Sequence, residues 1–184
     1  TAYEISAWLA FRRVLFRSSE ETPLSGQAYA DVLNEKLPRD VLIVVHGADD
    51  QGKQLVDSDV DLIAFTGSRE TGKHILRAAS RELKRVILEL GGKDPMIVLE
   101  TADLKTAARF AANNSFRNAG QVCVSTERIF VPEAIANRFE ALLVEATASM
   151  AQGDGLDEGV KIGPMVNAHQ RSHVLAQLGA AVSE

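Results

Sequence analysis

The sequence predicts an α/β protein built on a parallel sheet between two layers of helix. Three observations carry this. Residues 41–45, 61–66 and 85–90 are short, largely apolar runs without alternation, as strands buried on both faces are. Helix-length polar patterns separate them. After Gly91-Gly92 the alternation of strand and helix starts again.

The elements follow in order. A helix is expected over 25–37, then a strand at 41–45, whose VLIVV is mostly β-branched. Residues 51–57 read as a helix and 61–66 (DLIAFT) as a strand. Over 70–83 the residues Ile75, Leu76, Ala79 and Leu83 fall on one face at helical spacing, and 85–90 (RVILEL) closes the set. This βα alternation is that of a doubly wound, Rossmann-like nucleotide-binding domain. Beyond the glycine pair, 96–99 reads as a strand and 103–116 as a helix, with Asp103 placed to complement the dipole. A short strand at 129–131 precedes Pro132, an amphipathic helix covers 133–150, a Gly- and Asp-rich loop covers 151–164, and a last helix begins near Asn167. No internal repeat or low-complexity tract is present. The expected division is 1–17, a separate segment, then 18–90 and 91–184, with the boundary at Gly91-Gly92.

Composition bounds the class. Of 184 residues, 46% are hydrophobic and 24% charged, the profile of a globular chain. The net charge is −5. Phosphate backbones call for a basic face, so nucleic acid is not expected as a partner. No run reaches the roughly 18 apolar residues of a membrane span. The lone cysteine, Cys123, forbids an internal disulfide and points to a reducing compartment, the cytoplasm. The chain opens on Thr1 and stops in mid-pattern at Glu184, so an internal piece of a longer protein is expected. Residues 1–17 (TAYEISAWLAFRRVLFR) are Arg-rich and acid-poor, which suits a transit peptide. A foreign or misassembled junction is the preferred reading. Trp8 is expected to be loosely packed, and Arg12, Arg13 and Arg17 to form a solvated patch.

Three places carry chemistry. Phe65-Thr66-Gly67-Ser68, followed by Gly72, ends the second strand. Small residues between a strand and a helix N-terminus outline a phosphate site, although Ser68 also suits a simple N-cap. Glu89 closes the third strand. A carboxylate in a partly apolar cleft can serve as a base near neutral pH, and the plainer alternative is a rim residue paired with Lys93 or Arg85. Cys123 ends the turn Asn118-Ala119-Gly120-Gln121-Val122-Cys123. A thiolate exposed in a turn attacks carbonyl carbon well, whereas a lone Cys is otherwise a small buried hydrophobe. His169 and His173 lie four apart on a helix with no third ligand near in sequence, so no metal is expected.

The strings FTGS, LELGGK and GQVC, in this order, resemble the aldehyde dehydrogenase superfamily. ERIFV after the cysteine, KIGPMVN at 161–167 and the 34 positions (123 − 89) between Glu89 and Cys123 fit it too. The resemblance covers roughly residue 19 to the C-terminus. It implies oxidation of an aldehyde to a carboxylic acid with NAD, or NADP, in a homo-oligomeric full-length enzyme. It further implies that Cys123 attacks the aldehyde and that Glu89 activates the water that hydrolyses the thioester. By the same resemblance Ser68 contacts the cofactor pyrophosphate, Thr66 and Gly67 lie near the nicotinamide, and the Leu90 backbone contacts its ring. The oxyanion formed on attack needs N–H donors, and the Cys123 backbone is one candidate.

Departures are specific. Where the family carries K-P-S-E at the end of an earlier strand, to bind the adenine ribose, this chain reads Arg17-Ser18-Ser19-Glu20. Glu20 is kept, Lys has become Arg and Pro has become Ser. No upstream strand is evident, nor the Asn that completes the oxyanion hole. The turn after 41–45 reads His46-Gly47-Ala48-Asp49-Asp50-Gln51-Gly52, also altered. The later E-x-F-G-P segment, whose Glu binds the nicotinamide ribose, is absent from these residues. Two other readings are a non-catalytic fragment bearing the motifs and, less well supported, a cysteine hydrolase or acyl transferase using Cys123 with Glu89.

Overall fold

A computed structural model describes residues 13–183. Trp8 and Arg12, and with them most of the segment set apart as 1–17, lie outside the described residues. The chain divides into two compact units, Thr1–Glu89 and Leu90–Glu184.

In the first unit the order is β1 (Val14–Phe16), α1 (Pro23–Asn34), β2 (Leu42–Val44), α2 (Asp49–Asp57), β3 (Leu62–Thr66), α3 (Arg69–Ala79) and β4 (Arg85–Glu89). β1 pairs with β2 and β3 with β4, both parallel. Parallel neighbours need a crossover, which α1 and α3 supply. Pro23 sits in the first turn of α1, where its missing N–H costs nothing. Gly26 lets that helix close on the chain before it, since a Cβ there would lie 2.3 Å from the Ser18 Cβ. α2 starts with Asp49 and Asp50, favourable to its dipole. The Gln51 side chain accepts from the Ala48 N–H at 3.1 Å. The buried residues of α3 are Gly72, Ile75 and Ala79.

Parallel pairing of strands joined by helices is as the sequence predicts. Among the described residues β2 and β3 share no ladder. Ile63, Phe65, Val86 and Leu88 are half-buried, while Leu62, Ala64, Thr66, Arg85, Ile87 and Glu89 are exposed. Within the described residues one side of the β3–β4 ladder is the better packed. A correction concerns the start. Val14–Phe16 is a strand in register with Leu42–Val44, so the part of 1–17 that is described belongs to the fold, and the upstream strand missed in the sequence is present. Three residues between arginines are too few to show a period. Nor does Arg17 belong to a solvated patch, because it is partly buried and ion-paired with Glu20 at 2.8 Å.

The second unit runs β5 (Asp94–Ile97), α4 (Leu104–Phe116), a 3₁₀ turn (Arg117–Gly120), β6 (Thr126–Phe130), α5 (Glu133–Ala148) and α6 (Ala168–Ser183). β5 and β6 pair in parallel, with an irregularity between Asp94 and Pro95. Asp103 caps α4, its carboxylate accepting from the N–H of Lys105 at 3.1 Å and of Thr106 at 3.4 Å. The core is Val98, Leu104, Ala108, Ala111 and Phe139. Alanines on α4 let α5 approach closely enough for Phe139 to fill the space between them. β6 begins three residues earlier than its apolar stretch, because Glu127 and Arg128 are exposed strand residues tied to Lys93. Lys93 forms an ion pair with Glu127, and Arg128 Nε donates to the Lys93 carbonyl at 2.9 Å. Among the described residues no helix is long and apolar enough to cross a membrane.

Candidate active site

In the first unit the structure brings Thr66, Gly67, Ser68 and Glu89 together. Thr66 and Glu89 are partners across the β3–β4 ladder, at the carboxyl ends of both strands and on the exposed face. The Gly67 N–H donates to the Glu89 carbonyl at 3.0 Å, extending the ladder by one bond. A Cβ at position 67 would lie 2.4 Å from the Phe65 ring, so a larger residue there would have to displace that ring. Ser68 is the N-cap of α3. Its hydroxyl accepts from the Thr71 N–H at 3.1 Å and donates to Thr71 Oγ1 at 2.9 Å. The N–H groups of Arg69 and Glu70, in the first turn, have no acceptor within the helix. Glu89 is exposed among the described residues. In the second unit Lys93 is ion-paired with Glu127.

Glu20 lies apart from this group, just beyond β1. Its own backbone N–H lowers the carboxyl below the usual range; desolvation opposes this, and the Arg17 guanidinium adds to the lowering. It is therefore ionised at neutral pH and held in place by Arg17.

In the second unit Cys123 is exposed and free. It sits between α4 and β6, and both ends of its turn are held. The Asn114 side chain donates to Thr126 Oγ1 at 3.0 Å, and Ser115 Oγ donates to the Thr126 carbonyl at 2.8 Å. Ser125 is buried and donates its hydroxyl to the Val122 carbonyl at 2.8 Å. Gly92 packs against the Cys123 backbone. A Cβ there would lie 2.8 Å from the Cys123 carbonyl oxygen. Leu90, the first residue of this unit, is half-buried.

The backbone ahead of Cys123 is unusual. Asn118 (φ 53, ψ 37) and Ala119 (φ 57, ψ 32) are both left-handed, and Gly120 follows at φ 76. Sequence reasoning missed this geometry. Asn and Gly are the usual residues of that region and gave a faint signal, but Ala119 gives none. It also missed the close approach of Gly92 and the side chain of Gln121. His173 hydrogen-bonds Gln177 at 3.1 Å, and no group of three metal-ligating side chains occurs among the described residues.

The model of the aldehyde dehydrogenase family matches residues 6–184. The chain belongs to the aldehyde dehydrogenase family. The match reaches into the first seventeen residues, in keeping with the strand at Val14–Phe16. A betaine aldehyde dehydrogenase from Rhizobium meliloti is 41% identical over 180 residues, which are 97% of this chain and 37% of that protein. Among solved structures, aldehyde dehydrogenase C of Pseudomonas syringae, a cysteine-to-alanine mutant complexed with NAD+ and octanal, superposes with a TM-score of 0.89 at 33% identity, over 93% of this chain and 36% of that one. An NADP-dependent enzyme of E. coli gives a TM-score of 0.88 at 35% identity, over 93% and 36%. The chain thus spans about 37% of the length of the curated relatives it matches.

Proposed function

We propose that these residues are part of an enzyme that oxidises an aldehyde to a carboxylic acid with NAD(P), with Cys123 as nucleophile and Glu89 as base. Residues 18–90 then form part of the cofactor domain and 91–184 part of the catalytic domain. The observation that carries this reading is an exposed thiol on a turn held at both ends, in a chain of this family. That the Pseudomonas syringae relative was captured with NAD+ and octanal as a cysteine-to-alanine mutant is consistent with a cysteine that consumes the aldehyde.

The chemistry follows from the side chains. The Cys123 thiolate adds to the aldehyde carbon, and the carbonyl electron pair moves to oxygen, giving a thiohemiacetal. The Cys123 N–H is a candidate donor to that oxyanion. Bound NAD(P) would supply the hydride acceptor for this carbon, and loss of the hydride leaves a thioester on Cys123. Glu89 takes a proton from water, the hydroxide attacks the thioester, the C–S bond breaks with its electron pair on sulfur, and the carboxylic acid leaves as the Cys123 thiolate is restored; Glu89 then releases its proton to solvent. The side chains suit a dinucleotide. The first turn of α3 offers unpaired N–H groups behind Gly67 and Ser68, and the pyrophosphate belongs there. Thr66, Gly67 and the Leu90 backbone are assigned to the nicotinamide and Glu20 to the adenine ribose. The full-length enzyme is assigned a homo-oligomeric state by family resemblance.

A full-length chain carrying these residues tests the reading. Aldehyde-dependent NADH formation that is lost in Cys123→Ala is the expected result. Formation that persists in that variant would remove Cys123 from the chemistry. Aldehyde or ester hydrolysis without any cofactor requirement would favour the hydrolase alternative.

A further inference from the structure

We infer that Gln121 is the positioning residue of the nucleophile turn, and that it works by docking the turn onto Val166 in the segment that follows the Gly- and Asp-rich loop. The inference rests on the reading of Cys123 as nucleophile.

Two successive non-glycine residues in the left-handed region, Asn118 and Ala119, form an arrangement that an L-chain does not hold by itself. The holding contacts converge on Gln121, two residues before the thiol. Its Nε2 donates to the Asn118 carbonyl at 2.9 Å, and Asn118 Nδ2 donates to the Gln121 carbonyl at 3.2 Å. This reciprocal pair is local. The third contact is not: Gln121 Oε1 accepts from the Val166 N–H at 3.0 Å, across 45 positions. One amide side chain thereby uses its donor on the strained backbone and its acceptor on a distant strand of chain. Val166 is itself on a braced segment. The N–H groups of Lys161 and Ile162 both donate to the Ala151 carbonyl, at 2.8 and 3.1 Å, and the Gly153 N–H donates to the Ile162 carbonyl at 3.2 Å. The turn that aims Cys123 is therefore fixed from outside itself, and a change at position 166 is transmitted to the thiol.

The 184-residue chain tests this through two readouts, the rate of Cys123 alkylation by iodoacetamide as a function of pH and the amide exchange of Val166. Wild type is expected to react faster than the same thiol in a short peptide. Gln121→Ala is expected to lose roughly tenfold in rate, as follows from losing two neutral hydrogen bonds that select one turn conformation, and to lose protection at Val166. Val166→Pro removes one of the two bonds and leaves the turn's sequence intact, so a smaller fall is expected, and the double variant should fall no further than Gln121→Ala alone. Gln121→Glu keeps the acceptor and is expected to restore protection at Val166. A wild-type thiol no faster than the peptide defeats the nucleophile reading and this inference with it. A fast wild-type thiol with Gln121→Ala unchanged in both readouts, or with additive losses in the double variant, overturns the inference alone.

Discussion

At the scale of single residues, Gly92 and Cys123 constrain one another. A methyl group at position 92 would stand 2.8 Å from the Cys123 carbonyl oxygen and 2.8 Å from Asp94 Oδ1. The Asp94 carboxylate can swing aside, but the backbone oxygen can move only by shifting Cys123 itself. Gly92→Ala is therefore expected to destabilise the second unit by about 1–3 kcal/mol, as overpacking does, and to slow Cys123 alkylation. Unchanged denaturant midpoint and unchanged alkylation would show that the turn has room. A second residue-scale expectation concerns the cofactor. Glu20 is ionised because its own backbone N–H and Arg17 lower its carboxyl pKa. A carboxylate at the adenine ribose repels a 2′-phosphate, so a full-length chain should show a higher kcat/KM with NAD than with NADP. The Arg17 cation works against this preference, and equal or better kcat/KM with NADP would mean that it dominates.

At the scale of elements, α4 depends on its first turn. Asp103 is lowered in pKa chiefly by the hydrogen bond from the Thr106 side chain, with the Thr106 and Lys105 N–H groups adding to it. A carboxyl with a depressed folded-state pKa contributes stability that is present above the unfolded pKa and is lost as pH falls through the folded one. The thermal midpoint of the wild-type chain should thus exceed that of Asp103→Ala at neutral pH, and the gap should close on acidification below the ordinary carboxylate range. A gap that persists in acid would assign the effect to something other than the ionised cap. Asp103 was legible because a cap is written in three or four adjacent residues. For the same reason the helices and the longer strands were legible, since their signals are local periods. β1 was not, because Val14–Phe16 is recognisable only once Leu42–Val44 lies beside it. The candidate site divides the same way. Cys123, Glu89 and Ser68 stand out as types in motifs, whereas the left-handed Ala119 and the Gln121–Val166 bond are fixed by tertiary contact and leave no mark in sequence.

At the scale of the molecule, the described residues leave large apolar side chains exposed on strands. Leu62, Ile87, Ile97 and Phe130, all on strands, are exposed. Such surface marks a site of interaction or of aggregation. Catalysis needs thiol, base, oxyanion donors and nicotinamide held together closely, and the family's upstream Asn and its later E-x-F-G-P segment find no match in these residues. Removing one oxyanion donor alone costs about 10²–10³ in rate. The 184-residue chain is therefore expected to give no steady-state NADH with simple aldehydes. Saturable NADH formation that vanishes in Cys123→Ala would contradict this.

The most direct test separates the two halves of the chemistry assigned to Cys123 and Glu89. In a full-length chain carrying these residues, Glu89→Gln leaves the thiol and removes the base for hydrolysis. Mixing it with aldehyde and NAD should give a stoichiometric burst of NADH followed by arrest, with Cys123 found acylated by mass spectrometry. Continued turnover at the parent rate, or arrest without any burst or acyl group on Cys123, would contradict the assignment of nucleophile and base.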